Sequence, residues 1–133
     1  MAVGSRRATR HNDYLVISRG RWDADASAEE IQDAIDRFYA WHDRLAGEGR
    51  MKSGRRLGVE GKTVSRSAVT DGPYSESKEV IGGCWFIVAE SLEEAARIAA
   101  GNPCLTRGLF YEVRPVDAVR CSAYVVTNET ARG

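Results

Sequence analysis

The sequence predicts an α+β fold of the ferredoxin-like kind, a split βαβ running β-α-β-hairpin-β-α-β. Three observations predict it. Two stretches of helical period each open with Ser-x-x-Glu, the pattern of a capping box. Runs of β-forming residues precede, separate and follow them. Those runs are apolar on both alternating faces, so an antiparallel sheet built from them has a second greasy face once the helices cover the first.

In chain order, residues 1–12 are a basic tail with Arg6, Arg7, Arg10 and His11 and no periodicity, expected to be disordered. The domain is expected over residues 13–127. Tyr14-Leu15-Val16-Ile17-Ser18 is the first strand, broken by Gly20. Ser27, with Glu30 three residues on, caps a helix from Ala28 to Ala46 or Glu48, stopped by Gly47 and Gly49. Ile31, Ile35, Phe38, His42 and Leu45 share its apolar face. Arg50, Lys52, Arg55 and Arg56 form a basic cluster, read as a solvated face or as an anion site. Leu57–Val59 and Thr63–Val69 read as an extra hairpin turning at Glu60-Gly61-Lys62. Gly83–Ala89 is the strongest strand. Ser91 and Glu94 cap the second helix, whose inner face is Leu92, Ala95, Ala96 and Ala99, and Gly101 and Pro103 end it. Leu109–Val116 is a strand that leaves the sheet at Pro115 or lies at a sheet edge. Cys121–Thr127 reads as an added edge strand or an arm to a partner, and residues 128–133 fray.

The chain has 133 residues with 43% apolar and 29% charged, enough for one domain with a core. Its 19 basic and 19 acidic residues balance, which argues against binding nucleic acid or an anionic membrane surface. No apolar run approaches the roughly 20 residues of a membrane span. The N-terminus lacks the apolar core of a secretory signal. Cys84, Cys104 and Cys121 are an odd number without metal-ligand spacing, so they read as reduced thiols of a cytoplasmic protein that binds no metal. Neither G-x-x-x-x-G-K-[ST] nor G-x-G-x-x-G occurs, so no nucleotide or other cofactor is expected.

The polar stretch Thr70–Glu79 lies between two apolar segments. Asp71, Gly72 and Pro73 restrict its backbone, so it is expected to display its side chains in a fixed shape. Its Ser75-Glu76-Ser77-Lys78 fits S-x-x-K in form but lacks the partner motifs of that nucleophile. Asp71-Gly72-Pro73-Tyr74-Ser75-Glu76-Ser77-Lys78-Glu79, then Gly82-Gly83, resembles the DGPF signature of a branch of the YCII-related proteins, with Tyr74 where phenylalanine is usual. Glu112-Val113-Arg114-Pro115-Val116 is similar to the ending of the same branch. The resemblance spans roughly Tyr14 to Val116 and implies a dimeric α+β barrel. The two-faced apolar strands point the same way, to a homodimer stacked sheet face to sheet face.

The residues offer acid/base chemistry with Asp71 and His42 as the catalytic pair, a carboxylate orienting an imidazole. Tyr74, Lys78, Glu79 and Arg114 are the ligand-binding candidates: Tyr74 to donate to an oxyanion, Lys78 and Arg114 to hold an anionic small molecule. Asp71-Gly72-Pro73-Tyr74 reads equally as a structural turn, His42 as a core histidine bonded to a carbonyl, and Lys78 with Glu79 as a surface ion pair. Two functions follow: an enzyme or binder of a small anionic molecule, or a non-catalytic dimeric module acting by protein contact. Relatives near genes for alternative sigma factors suggest the second.

Overall fold

The computed structural model of the chain describes residues 12–72 and 80–131. Strand β1 (Asn12–Arg19) leads to helix α1 (Ala28–Gly47) and strand β2 (Met51–Arg56). A hairpin of β3 (Lys62–Val64) and β4 (Val69–Asp71) follows. Strand β5 (Ile81–Ala89), helix α2 (Leu92–Ala99), a 3-10 turn (Pro103–Arg107) and strand β6 (Phe110–Pro115) complete the order. The main sheet is antiparallel with strand order β2-β5-β1-β6, and the hairpin forms a separate two-stranded sheet. With the hairpin set aside, this is the ferredoxin-like topology that the element order predicts. Pro115 lies on an edge strand, where its missing N–H leaves no ladder bond unmade.

The side-chain period of two sorts the central strands. Tyr14, Val16 and Ser18 of β1 and Trp85, Ile87 and Ala89 of β5 are buried, each alternating with half-buried neighbours. The buried set meets Trp41 and Leu45 of α1, Ala95 and Ala99 of α2 and Met51 of β2 in one core. Both helices therefore lie on the same face of the sheet. The start of α1 is fixed as expected: Glu30 N–H donates to Ser27 Oγ at 3.0 Å and Ser27 N–H donates to a Glu30 carboxylate oxygen at 2.8 Å. At α2 the box is stretched by one residue. Ser91 Oγ accepts from Glu94 N–H, but the Glu94 carboxylate accepts from Glu90 N–H.

Several elements differ from the sequence expectation. The basic cluster is partly a strand, β2, whose inward anchor is the buried Met51. Its pairing with β5 outweighs a segment poor in β-formers. The hairpin turns at Ser65–Ala68, not at Glu60–Lys62, because Lys62 already pairs with Asp71. Val59 stands 92% exposed outside any strand. On α1 the buried line is Ala34, Trp41 and Leu45, while Ile31, Ile35, Phe38 and His42 are only half-buried. On α2, Ala95 and Ala99 face the sheet, whereas Leu92 and Ala96 face out. Residues 121–127 form turns and no edge strand, with Tyr124 96% exposed.

The second face of the sheet carries Leu15 and Ile17 from β1 and Cys84, Phe86 and Val88 from β5, all half-buried. Neither helix covers it. Ion pairs border it, among them Arg19 with Glu112 at 2.8 Å and Lys52 with Asp13 at 2.9 Å.

Candidate functional site

The inner face of the sheet is not filled along its whole length. Near the start of β5, α1 and the sheet part to leave a cavity of about 380 Å³. The second half of α1 supplies Phe38, Tyr39, His42 and Asp43, and β2 supplies Ser53, Gly54, Arg55 and Arg56. Ser18, Trp22, Trp85 and Tyr111 close the rest.

Two irregularities in the sheet shape this hollow. Ser53 and Gly54 stand opposite Trp85, a bulge in β2. A Cβ on Gly54 would come within 1.6 Å of the Cys84 carbonyl oxygen, so only glycine lets the two strands close up there. The second bulge is in β5, where Gly82 is the extra residue opposite β1. A Cβ on Gly82 would sit 3.4 Å from a guanidinium nitrogen of Arg56 and 3.6 Å from Ser18 Oγ. The bare backbone of Gly82 and Gly83 is thus a seat over which Arg56 lies. Register sets Arg56, Gly83, Ser18 and Tyr111 in one row across all four strands.

The cavity wall is ringed by aromatic groups. Phe38 and Trp85 meet edge to face with centroids 5.2 Å apart, and Trp85 and Tyr111 do so at 5.5 Å. His42 lies 5.7 Å from Phe38 and 6.3 Å from Trp85, centroid to centroid. The indole Nε1 of Trp85 is buried and has no hydrogen-bond partner among the described residues. At the inner end, the Tyr111 phenol lies beside Cys104, Ser18 and Asn102, and burial first, then the Cys104 thiol, push it well above the usual tyrosine range. Burial likewise pushes the Cys104 thiol up. Cys104 Sγ donates to the Ala34 carbonyl at 3.7 Å. Both groups therefore stay protonated donors, and Cys104 is an inert thiol.

Of the residues expected to carry function, His42 lines the cavity. Asp71 does not: it ends β4, its side chain is 92% exposed, and it pairs with Lys62. The hairpin that carries Asp71 forms its own sheet, and Asp71 is not among the lining residues of the cavity that His42 borders. Arg114 lies with Glu112, 3.7 Å away, on the face of the sheet opposite the cavity. Tyr74, Lys78 and Glu79 lie outside the described residues. The basic cluster divides: Lys52 turns to the outer face, Arg50 pairs loosely with Glu48 at 3.8 Å, Arg56 turns to the cavity, and Arg55, at the cavity rim, stands opposite the outer-facing Cys84. Neither of these two arginines has a carboxylate partner among the described residues. Sequence reasoning passed over Ser18, Trp22, Trp85 and Tyr111 as cavity groups. The one signal that could have found them is the pair of glycines beside an apolar strand, since glycine in a strand marks a bulge or a close approach.

Among the described residues no three His, Cys, Asp or Glu side chains converge as metal ligands, and no helix is long and apolar enough to cross a membrane. No curated protein matches the chain. The model of the YCII-related domain matches residues 14–118, from the inward-facing Tyr14 of β1 to just past the end of β6, and so takes in every element that builds the cavity. On that match over most of its length, the chain belongs to the YCII-related family.

Proposed function

We propose that this protein binds a small anionic molecule in the cavity between α1 and the sheet, with His42 as the group that exchanges a proton with it. The observation that carries the reading is the composition of one hollow. It has the size of a small-ligand site, apolar aromatic walls, and a few polar groups converging from different elements. Arg56 turns to the cavity and has no carboxylate partner among the described residues, so it is a cation available to negative charge there. His42 is the only histidine among the described residues, and its place in the wall puts it within reach of a bound molecule.

The protein is read as a homodimer joined through the outer sheet face. Supporting this are the apolar centre of Leu15, Ile17, Phe86 and Val88 and the charged border around it, the anatomy of a protein interface. A second reading, a module that acts by protein contact, is favoured by one observation: Val119, Tyr124 and Val126 stand 70%, 96% and 84% exposed after β6.

A thermal-shift screen of small carboxylates, phosphates and neutral isosteres tests the first reading. Anions raise the melting temperature of the native chain, and the double variant Arg55→Glu, Arg56→Glu abolishes the rise. Both residues are exposed, so the reversal leaves the fold intact. Equal rises with neutral isosteres, or rises that survive the charge reversal, would refute it. A chain ending at Val119 that keeps its response to anions supports binding over the contact module.

A further inference from the structure

We propose, resting on the cavity reading above, that the ligand is an aromatic monocarboxylate, its carboxylate held by Arg56 over the Gly82–Gly83 bulge and its ring set among Phe38, Trp85 and Tyr111. The carboxylate end follows from the seat. The guanidinium of Arg56 lies against the bare backbone of Gly82, on the same side as Ser18 Oγ. A planar fork suits a planar, two-oxygen acceptor, which can take paired N–H bonds from the arginine. Arg56 has no carboxylate of this chain to pair with among the described residues, so its donors are open to a ligand.

A single negative charge fits better than two. Asp43 belongs to the same lining and repels a dianion. The segment of α1 that borders the cavity is its middle and second half, Ile35 to Asp43, so the N-terminus of α1 does not point its positive dipole at it.

The ring end follows from the wall. Phe38, Trp85 and Tyr111 already meet one another edge to face, at 5.2 and 5.5 Å, and a ligand ring continues that pattern. An independent observation concerns Trp85. The residue is only 8% exposed, and its indole N–H has no acceptor among the described residues although nearly all buried donors find one. The rings packed against the indole, Phe38, His42 and Tyr111, all line the cavity.

Isothermal titration of the full chain with benzoate, 4-hydroxybenzoate, cyclohexanecarboxylate and inorganic phosphate tests this. Benzoate binds about fivefold more tightly than its saturated isostere, the factor expected of edge-to-face ring contacts. Phosphate binds more weakly than either. Arg56→Ala weakens benzoate at least about tenfold, as loss of a charge-assisted hydrogen bond should, and Arg56→Lys falls between. Arg37→Ala, an exposed arginine paired with Asp33 on the outside of α1, changes nothing and controls for net charge. If phosphate or cyclohexanecarboxylate binds as tightly as benzoate while Arg56→Ala still weakens it, the cavity stands as an anion site and the aromatic carboxylate is overturned. Benzoate binding untouched by Arg56→Ala overturns the Arg56 subsite. No heat with any anion overturns both this inference and the function it rests on.

Discussion

Burial holds Tyr111 and Cys104 in their neutral forms, and this makes stability depend on pH. Both groups have a folded pKa above the unfolded one, from desolvation first and, at Tyr111, from the neighbouring thiol second. The unfolded chain therefore loses these protons first. The stability they contribute is full below their unfolded values, about 8.5 for a thiol and 10 for a phenol, and is lost as pH rises past those values toward the folded ones. Urea midpoints are expected to hold level from pH 7 to about 8.5 and then to fall, and Tyr111→Phe to reduce the slope at the alkaline end. An unchanged slope in Tyr111→Phe would show that the phenol is not the group responsible. The same burial orders the thiols. Exposed Cys121 alkylates first, half-buried Cys84 later, and Cys104 only on unfolding, which mass spectrometry after timed labelling resolves. At the acid end Glu30 acts with the opposite sign. Its bond to the Ser27 backbone, with Arg107 assisting, lowers its pKa, so its contribution is present above the usual carboxylate range and is lost as pH falls through the lowered value.

At the scale of elements, the glycines of β2 and β5 matter most. Gly54→Ala would drive a Cβ into the Cys84 carbonyl, and Gly83→Ala would bring one within 2.7 Å of the Arg55 carbonyl. Gly54→Ala is expected to cost more than about 3 kcal/mol, the range of forced backbone clashes, and to release β2 from the sheet. Gly47→Ala, with nothing near its Cβ and ordinary helical backbone, is expected to be neutral or to stabilise by up to about 1 kcal/mol. Ser27→Ala, which removes the cap of α1, should cost about 1 kcal/mol. Denaturant unfolding of the three variants checks the order. The elements that the sequence made legible are those whose signal is local: the Ser27 and Ser91 caps, the apolar runs of β1 and β5, Pro115 at an edge. What stayed hidden depends on partners distant in sequence. Strand β2 exists because β5 offers it a ladder, not because Lys52, Ser53 and Gly54 favour extension. The hairpin shifted its turn by about five residues because the Lys62–Asp71 pairing set the register. The cavity lining was half legible for the same reason. His42 and the basic cluster mark it, but only the fold decides that Arg56 turns inward, that Arg114 turns outward and that Asp71 sits on a separate sheet.

For the whole molecule, two faces of one sheet divide the work. The inner face builds the core and the cavity, and the outer face presents an apolar centre with charged margins. The homodimer reading predicts a solution mass of twice 14.6 kDa, and Phe86→Asp, placed at that centre, should yield a folded monomer. A native chain that scatters light as a monomer at micromolar concentration would end that reading. The division also predicts that ligand and partner occupy opposite faces, so that binding is visible on one and silent on the other. The most direct measurement is a map of backbone amide shifts as benzoate is added to the full chain. Perturbations are expected at His42, Arg56, Trp85 and Tyr111, with Leu15, Phe86 and the hairpin around Asp71 unmoved. Shifts centred on the Asp71 hairpin or on the outer sheet face, with the cavity silent, would contradict the cavity reading.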